Sequence, residues 1–134
     1  MNKILILHTS WYEKYISQMT DVAQYVFEKS YKVEVSKAPG SIELASLAKH
    51  KIMNNNYLGI FFNGIIIRGE TNHYDLISSE TFRSIGNLAL DHSNLAIINN
   101  VICVENENQL NERLVKNTRN NADSLIALIN EKSL

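Results

Sequence analysis

A single doubly wound α/β domain, residues 1–134, with a four-stranded parallel sheet is the fold class that this chain predicts. Three observations predict it. Short apolar runs alternate with segments whose apolar residues recur at helical spacing. The runs are nearly continuous, above all at the β-branched Ile65, Ile66 and Ile67, which suits strands covered on both faces. Strands joined through intervening helices pair in parallel by right-handed crossovers, and a doubly wound sheet is the simplest way to satisfy that rule.

The first strand is the apolar run 4–7. Ile16, Met19, Ala23, Val26 and Phe27 then mark a helix over roughly residues 12–29. Residues 31–35 alternate and form the second strand. Pro39-Gly40 breaks the chain, Ser41 is a candidate cap, and Leu44, Leu47 and Ala48 carry a helix towards Met53. The third strand is 58–67. Leu76, Ile77, Ile85, Leu88 and Ala89 predict a helix ending near Asp91, and 95–104 holds the fourth strand. Two shorter helices are expected at the end, over about 107–114 and 122–131. No repeat, low-complexity tract or interdomain linker interrupts this order.

Composition narrows the function classes. Thirteen cationic residues face 14 anionic ones for a net charge of -1, with no basic block, so nucleic acid is not an expected partner. The one cysteine, Cys103, excludes an intrachain disulfide and fits a reducing compartment. The opening MNKILILH has an apolar run too short for a signal peptide core or a membrane span. A cytoplasmic protein without membrane partners is the expectation.

In a doubly wound sheet, ligands bind beyond the carboxyl ends of the strands, where strand order reverses. The chemically unusual residues fall there: 8–12 after the first strand, 38–43 after the second, 68–73 after the third. The run IIIRGETNHYD (65–75) is the most informative. A buried strand delivers a cation, a glycine, a carboxylate, a hydroxyl and a histidine to one exposed edge. Gly69 allows close backbone approach, and Thr71 can cap a following helix whose free N–H groups attract anions. A phosphate pocket with His73 at its mouth is the chemistry this pattern favours. A phosphoacceptor signalling domain would share the alternation, but it needs an acidic pair where this chain has His8-Thr9-Ser10. The four histidines are too dispersed for a metal site.

Two segments, APGSIEL at 38–44 and IIIRGETNHYDLI at 65–77, resemble signature segments of the 6,7-dimethyl-8-ribityllumazine synthase family, and weaker similarity extends over nearly the whole chain. The resemblance implies a flavodoxin-like fold. It also implies condensation of two small molecules, 5-amino-6-ribitylaminouracil and 3,4-dihydroxy-2-butanone 4-phosphate, in riboflavin biosynthesis, with no metal or organic cofactor. His73 would move protons, a task suited to a group that titrates near neutrality. Thr71, the backbone amides around Gly69 and Glu70, and Arg113 would hold the phosphate, the arginine through its two-pronged fork. Glu43 would accept hydrogen bonds from the ribityl hydroxyls, beside Ser41 and Ile42. Trp11 would stack on the pyrimidine, and Ile66 and Ile67 complete the substrate-binding set. Arg68 would orient the loop.

The same resemblance implies a homopentamer, or a larger assembly of pentamers, with sites between subunits. A neighbour would supply Asn99 and Arg113. The third helix, with Leu76, Ile77, Ile85 and Leu88, is the expected contact face. Several positions depart from the family pattern. Tyr12 stands where asparagine is usual, Ala96 where proline is common, and Asn99 where phenylalanine is common. An N-K-G turn is replaced around 119–121, and either register puts asparagine in the lysine position. These departures keep a second function in view: a non-catalytic shell that binds flavin or lumazine in a drifted pocket.

Overall fold

The computed structural model describes residues 2–134. Strand β1 (Lys3–Thr9) leads into helix α1 (Glu13–Glu28), β2 (Lys32–Ala38), a 3-10 turn (Ser41–Glu43) and α2 (Leu44–Asn54). Strand β3 (Gly59–Ile67), α3 (His73–Asp91), β4 (Ala96–Val104) and α4 (Glu107–Lys132) complete the chain. The sheet has four strands in the order β2-β1-β3-β4, every neighbouring pair parallel. The winding reverses between β1 and β3. This is the doubly wound α/β sheet that the alternating pattern predicts.

Helices α2 and α3 cover one face of the sheet, and α1 and α4 cover the other. The first face buries Leu5, Leu7, Phe62 and Ile66 against Leu44, Ala48, Ile85 and Leu88. The second holds two apolar clusters. At the amino ends of the strands, Ile4, Ile6 and Phe61 pack on Phe27, Ala122, Leu125 and Ile129. At the carboxyl ends, Ile65, Ile102 and Val104 pack on Ile16, Met19, Leu110 and Leu114. Burial of each such side chain contributes about 1.5–3 kcal/mol. Gly59 belongs to this packing: a Cβ there would lie 3.1 Å from both Leu125 Cδ1 and Ile129 Cδ1.

A polar row separates the two clusters. His8, Asn63 and Asn100 occupy matching positions on β1, β3 and β4. Asn100 Nδ2 donates to Asn63 Oδ1 and to Thr118 Oγ1, both at 2.9 Å, and Asn100 Oδ1 accepts from Asn121 Nδ2 at 2.7 Å. Asn63, Asn100 and Thr118 are all buried. Buried polar groups hold their place by bonding one another, and these bonds fix where α4 sits along β3 and β4.

Four expectations change. The two short terminal helices are one, because no glycine or proline interrupts 107–132. Its buried stripe of Leu110, Leu114, Thr118, Ala122, Leu125 and Ile129 runs straight through the supposed turn. Strand β2 extends to Ala38, beyond the expected end at 35, since pairing with β1 continues to Thr9. Ser41 does not cap α2 with its side chain; it opens the 3-10 turn, and its carbonyl accepts the Leu44 N–H. On α3, Ile85 and Leu88 face the core, so the apolar residues left outside are Leu76, Phe82 and Leu90.

Candidate active site at the strand reversal

A cavity of about 480 Å³ opens at the carboxyl ends of β1 and β3, on the α2 and α3 side. Each wall has a local cause. Strand β1 ends at Thr9, and the chain turns sharply because Tyr12 adopts a left-handed conformation, φ 59° and ψ 50°. The Tyr12 carbonyl then accepts from Tyr15 and Ile16 N–H, both at 3.0 Å, which starts α1. This turn carries Trp11 onto the lip of the cavity, where the indole is 69% exposed. A tryptophan so exposed has no role in the core.

Gly40, Ser41, Ile42 and Glu43 form the second wall. A Cβ on Gly40 would lie 3.0 Å from Glu43 Oε1 and 4.0 Å from Trp11 Nε1. The bare glycine therefore lets the Glu43 carboxylate fold across the backbone towards the indole. Ile65, Ile66 and Ile67 make the apolar floor, and Gly69, Thr71, His73, Tyr74 and Ile77 make the third wall. Thr71 Oγ1 accepts the His73 N–H at 3.2 Å, so the hydroxyl serves the first turn of α3 although Asn72 occupies the cap position. The amino terminus of α3 meets the cavity, an environment that favours anions.

Beside this wall, Arg68 forms ion pairs with Asp75 at 3.3 Å and Glu105 at 2.9 Å, and its guanidinium lies 4.3 Å from the Tyr74 ring centre. The Glu105 hydrogen bond, then that of Asp75, hold the guanidinium even more firmly protonated than usual. Burial, reinforced by neighbouring negative charge, pushes the Tyr74 phenol up. Burial likewise raises the Cys103 thiol, against a hydrogen bond from Tyr74. Cys103 is thus a packed thiol rather than a ready nucleophile.

Nine of the residues named from sequence meet in this one cavity: Trp11, Ser41, Ile42, Glu43, Ile66, Ile67, Gly69, Thr71 and His73. Three do not. Glu70 is exposed and stands outside the lining. Asn99 sits midway along the edge strand β4, where its Oδ1 accepts the Val101 N–H at 2.8 Å. Arg113 is exposed on α4, across the sheet from the cavity. Tyr12, Gly40, Ile65, Tyr74 and Ile77 line the cavity without having been named as site residues. Tyr74 and Ile77 belong to the segment 65–77, and Ile77 follows His73 at helical spacing (i,i+4), so its position was within reach. Among the described residues, no group of three histidine, cysteine or acidic side chains is placed to hold a metal ion. No helix there is long and apolar enough to cross a membrane.

An aromatic lip, a carboxylate, a histidine and a helix amino terminus thus meet in one cavity at the reversal of a doubly wound parallel sheet, where such folds hold their ligands. The family model for 6,7-dimethyl-8-ribityllumazine synthase matches residues 1–133, and the chain belongs to that family. Its relatives include the 6,7-dimethyl-8-ribityllumazine synthases of Erythrobacter litoralis, 31% identical over 84% of this chain and 80% of that protein, and of Novosphingobium aromaticivorans, 32% identical over 81% and 78%. The Thermococcus gammatolerans enzyme of the same name is 38% identical over 58% of this chain, a match spanning about half (49%) of that relative's length.

Proposed function

We propose that this protein is itself a 6,7-dimethyl-8-ribityllumazine synthase, a transferase of riboflavin biosynthesis. The observation that carries the reading is the convergence of Trp11, Glu43, Thr71 and His73 on one cavity of about 480 Å³, a size suited to small substrates. The indole stacks on the pyrimidine of 5-amino-6-ribitylaminouracil. Glu43, with Ser41 and Ile42, receives the ribityl chain across Gly40. The phosphate of 3,4-dihydroxy-2-butanone 4-phosphate lies against Thr71 and the amides at Gly69 and Glu70. His73 moves protons as the amine adds to the ketone, water and phosphate leave, and the ring closes with loss of a second water. The reaction uses no metal or organic cofactor.

The site is half-built within one chain. Arg113 and Asn99 lie away from the cavity, and both are positions that a neighbouring subunit would present. A homopentamer, alone or in a larger shell, supplies them, with exposed Leu76, Phe82 and Leu90 on α3 available for burial between copies. A cytoplasmic location and a single domain accord with this reading. Mixing the purified protein with both substrates and following lumazine absorbance tests it. Turnover is expected. Tight binding of lumazine without turnover would reassign the protein as a binding shell.

A further inference from the structure

The first turn of α3 is closed by its backbone, with the Asp75 and Leu76 N–H groups donating to the Asn72 carbonyl at 3.1 and 3.3 Å, but its side chains add little to that. Asn72 at its cap position makes no side-chain capping hydrogen bond, and the side-chain bond that reaches His73 itself is its N–H to Thr71 Oγ1 at 3.2 Å. The preceding loop has little packing either: a Cβ on Gly69 would meet nothing within 4 Å. Yet this turn carries His73 and Tyr74, which line the cavity.

Arg68 adds a side-chain tie from outside the helix. Its backbone N–H donates to the Val104 carbonyl at 3.0 Å, continuing the β3–β4 ladder one residue past the strand and fixing its base. From there Nε donates to the Glu105 carboxylate at 2.9 Å, and a terminal nitrogen donates to Asp75 Oδ1 at 3.3 Å. The guanidinium Cζ lies over the Tyr74 ring, 4.3 Å from its centre. Tyr74 and Asp75 are the two residues after His73. We propose that Arg68 is a positioning residue: by clamping Tyr74 and Asp75 against the end of β4, it sets the direction in which His73 enters the cavity. The proposal rests on the lumazine synthase reading for its link to turnover, but not for its geometry.

These ion pairs are exposed. The Arg68, Asp75 and Glu105 side chains keep 38%, 62% and 54% of their accessible surface, and pairs so exposed contribute little to stability. What the clamp affects is orientation. Displacement of a reacting group by about 1 Å can cost on the order of 10²-fold in rate.

The test compares wild type with Arg68→Gln and Arg68→Lys in three readouts: kcat and KM for both substrates, the thermal midpoint, and the ¹H–¹⁵N signals of the His73 imidazole. Arg68→Gln is expected to lower kcat on the order of 10-fold to 10²-fold, with KM for the pyrimidine and the thermal midpoint nearly unchanged. The His73 signal should shift or broaden while those of His8, His50 and His92 stay in place. Arg68→Lys should not restore either property, because an ammonium cannot pair with two carboxylates and stack on a ring at once. An unchanged His73 signal in Arg68→Gln overturns the proposal whatever the rate, and so does an unchanged kcat in an active enzyme. If wild type shows no turnover, the functional reading fails by itself, and the imidazole signals still decide the role of Arg68. Should Arg68→Gln misfold, Glu105→Gln removes the anchor on β4 and is judged by the same measurements.

Discussion

The two faces of the sheet are finished to different degrees. On the α1 and α4 side, the 26 residues of α4 span both apolar clusters, and the polar row between them is bonded through Asn63, Asn100, Thr118 and Asn121. On the α2 and α3 side, a cavity stays open at the strand ends, and Met53, Leu76, Phe82 and Leu90 leave 73%, 63%, 47% and 80% of their surface outside. One face is packed along most of its length, with a smaller cavity of about 280 Å³ beside α1 and with Tyr25 and Val115 left outside. The other holds the candidate site and leaves more apolar surface exposed.

The sharpest break in that comparison comes from the open side. His73→Ala is expected to lower turnover by roughly 10²–10⁴-fold while leaving the fold intact, because His73 is exposed at a helix start. Steady-state lumazine formation checks it, and unchanged turnover would remove His73 from the mechanism. Arg113→Ala, though outside the cavity of its own chain, should also impair catalysis. Mixing the two inactive variants under conditions of subunit exchange should then restore some activity, since some interfaces carry both intact residues. Failure to recover any activity after demonstrated exchange would argue against a shared site.

The closed face answers to stability instead. Leu125→Ala removes a fully buried side chain that packs around Gly59 and should cost about 2–5 kcal/mol in urea unfolding. Activity per folded molecule should stay at the wild-type level. A loss of turnover without a loss of stability would mean that the two faces are coupled through the sheet.

The strands were legible because Ile4 to Leu7 and the run ending at Ile67 are apolar on both faces, a pattern that little else in a short chain produces. Nine cavity-lining residues were legible as one cluster because each lies at or just after the carboxyl end of one of three strands. The continuity of α4 was not. Asn117, Thr118, Asn120 and Asn121 look like a break when polarity alone is weighed, but Thr118 and Asn121 turn towards Asn100 and are satisfied there. A polar stretch in a helix can belong to the core when the facing strand is polar too. Asn99 and Arg113 have no signal of their own in periodicity or spacing. They entered through resemblance, and in the folded chain they stand apart from the cavity. The orientation of α3 was misread at Ile85 and Leu88, where any apolar residue could equally face the sheet or a neighbour.

A smaller effect tests the turn that shapes the aromatic lip. Tyr12 is the one non-glycine residue with positive φ among the described residues, and asparagine tolerates that conformation far better than a bulky ring. Tyr12→Asn should raise stability by up to about 1 kcal/mol, read as an increased midpoint in urea. Retained turnover would show that the departure at this position is tolerated strain. Reduced turnover would show that the Tyr12 ring itself serves the cavity it lines.

The smallest predicted effect lies at the opposite end of the sheet, where charges are paired rather than presented. Burial by itself would push the Glu34 carboxyl up, but hydrogen bonds from Tyr57 and Lys3, with the Lys3 and Lys51 charges, outweigh it and hold the group below its usual value. Tyr57 Oη donates at 2.9 Å, and the two lysines lie at 3.3 and 3.5 Å. A carboxyl depressed in the folded state binds its proton more readily when unfolded, so its stabilisation is present above the unfolded value of about 4.5 and is lost as pH falls through the lower folded value. Urea midpoints measured from pH 6 down to pH 3 (roughly the range over which carboxylates titrate) should therefore fall less steeply in Glu34→Gln than in wild type. Above pH 6 the difference between the two proteins should be constant. Parallel curves throughout would mean that the pairing at this end of the sheet stabilises nothing measurable. The cavity end should be insensitive to this substitution, with turnover at neutral pH unchanged.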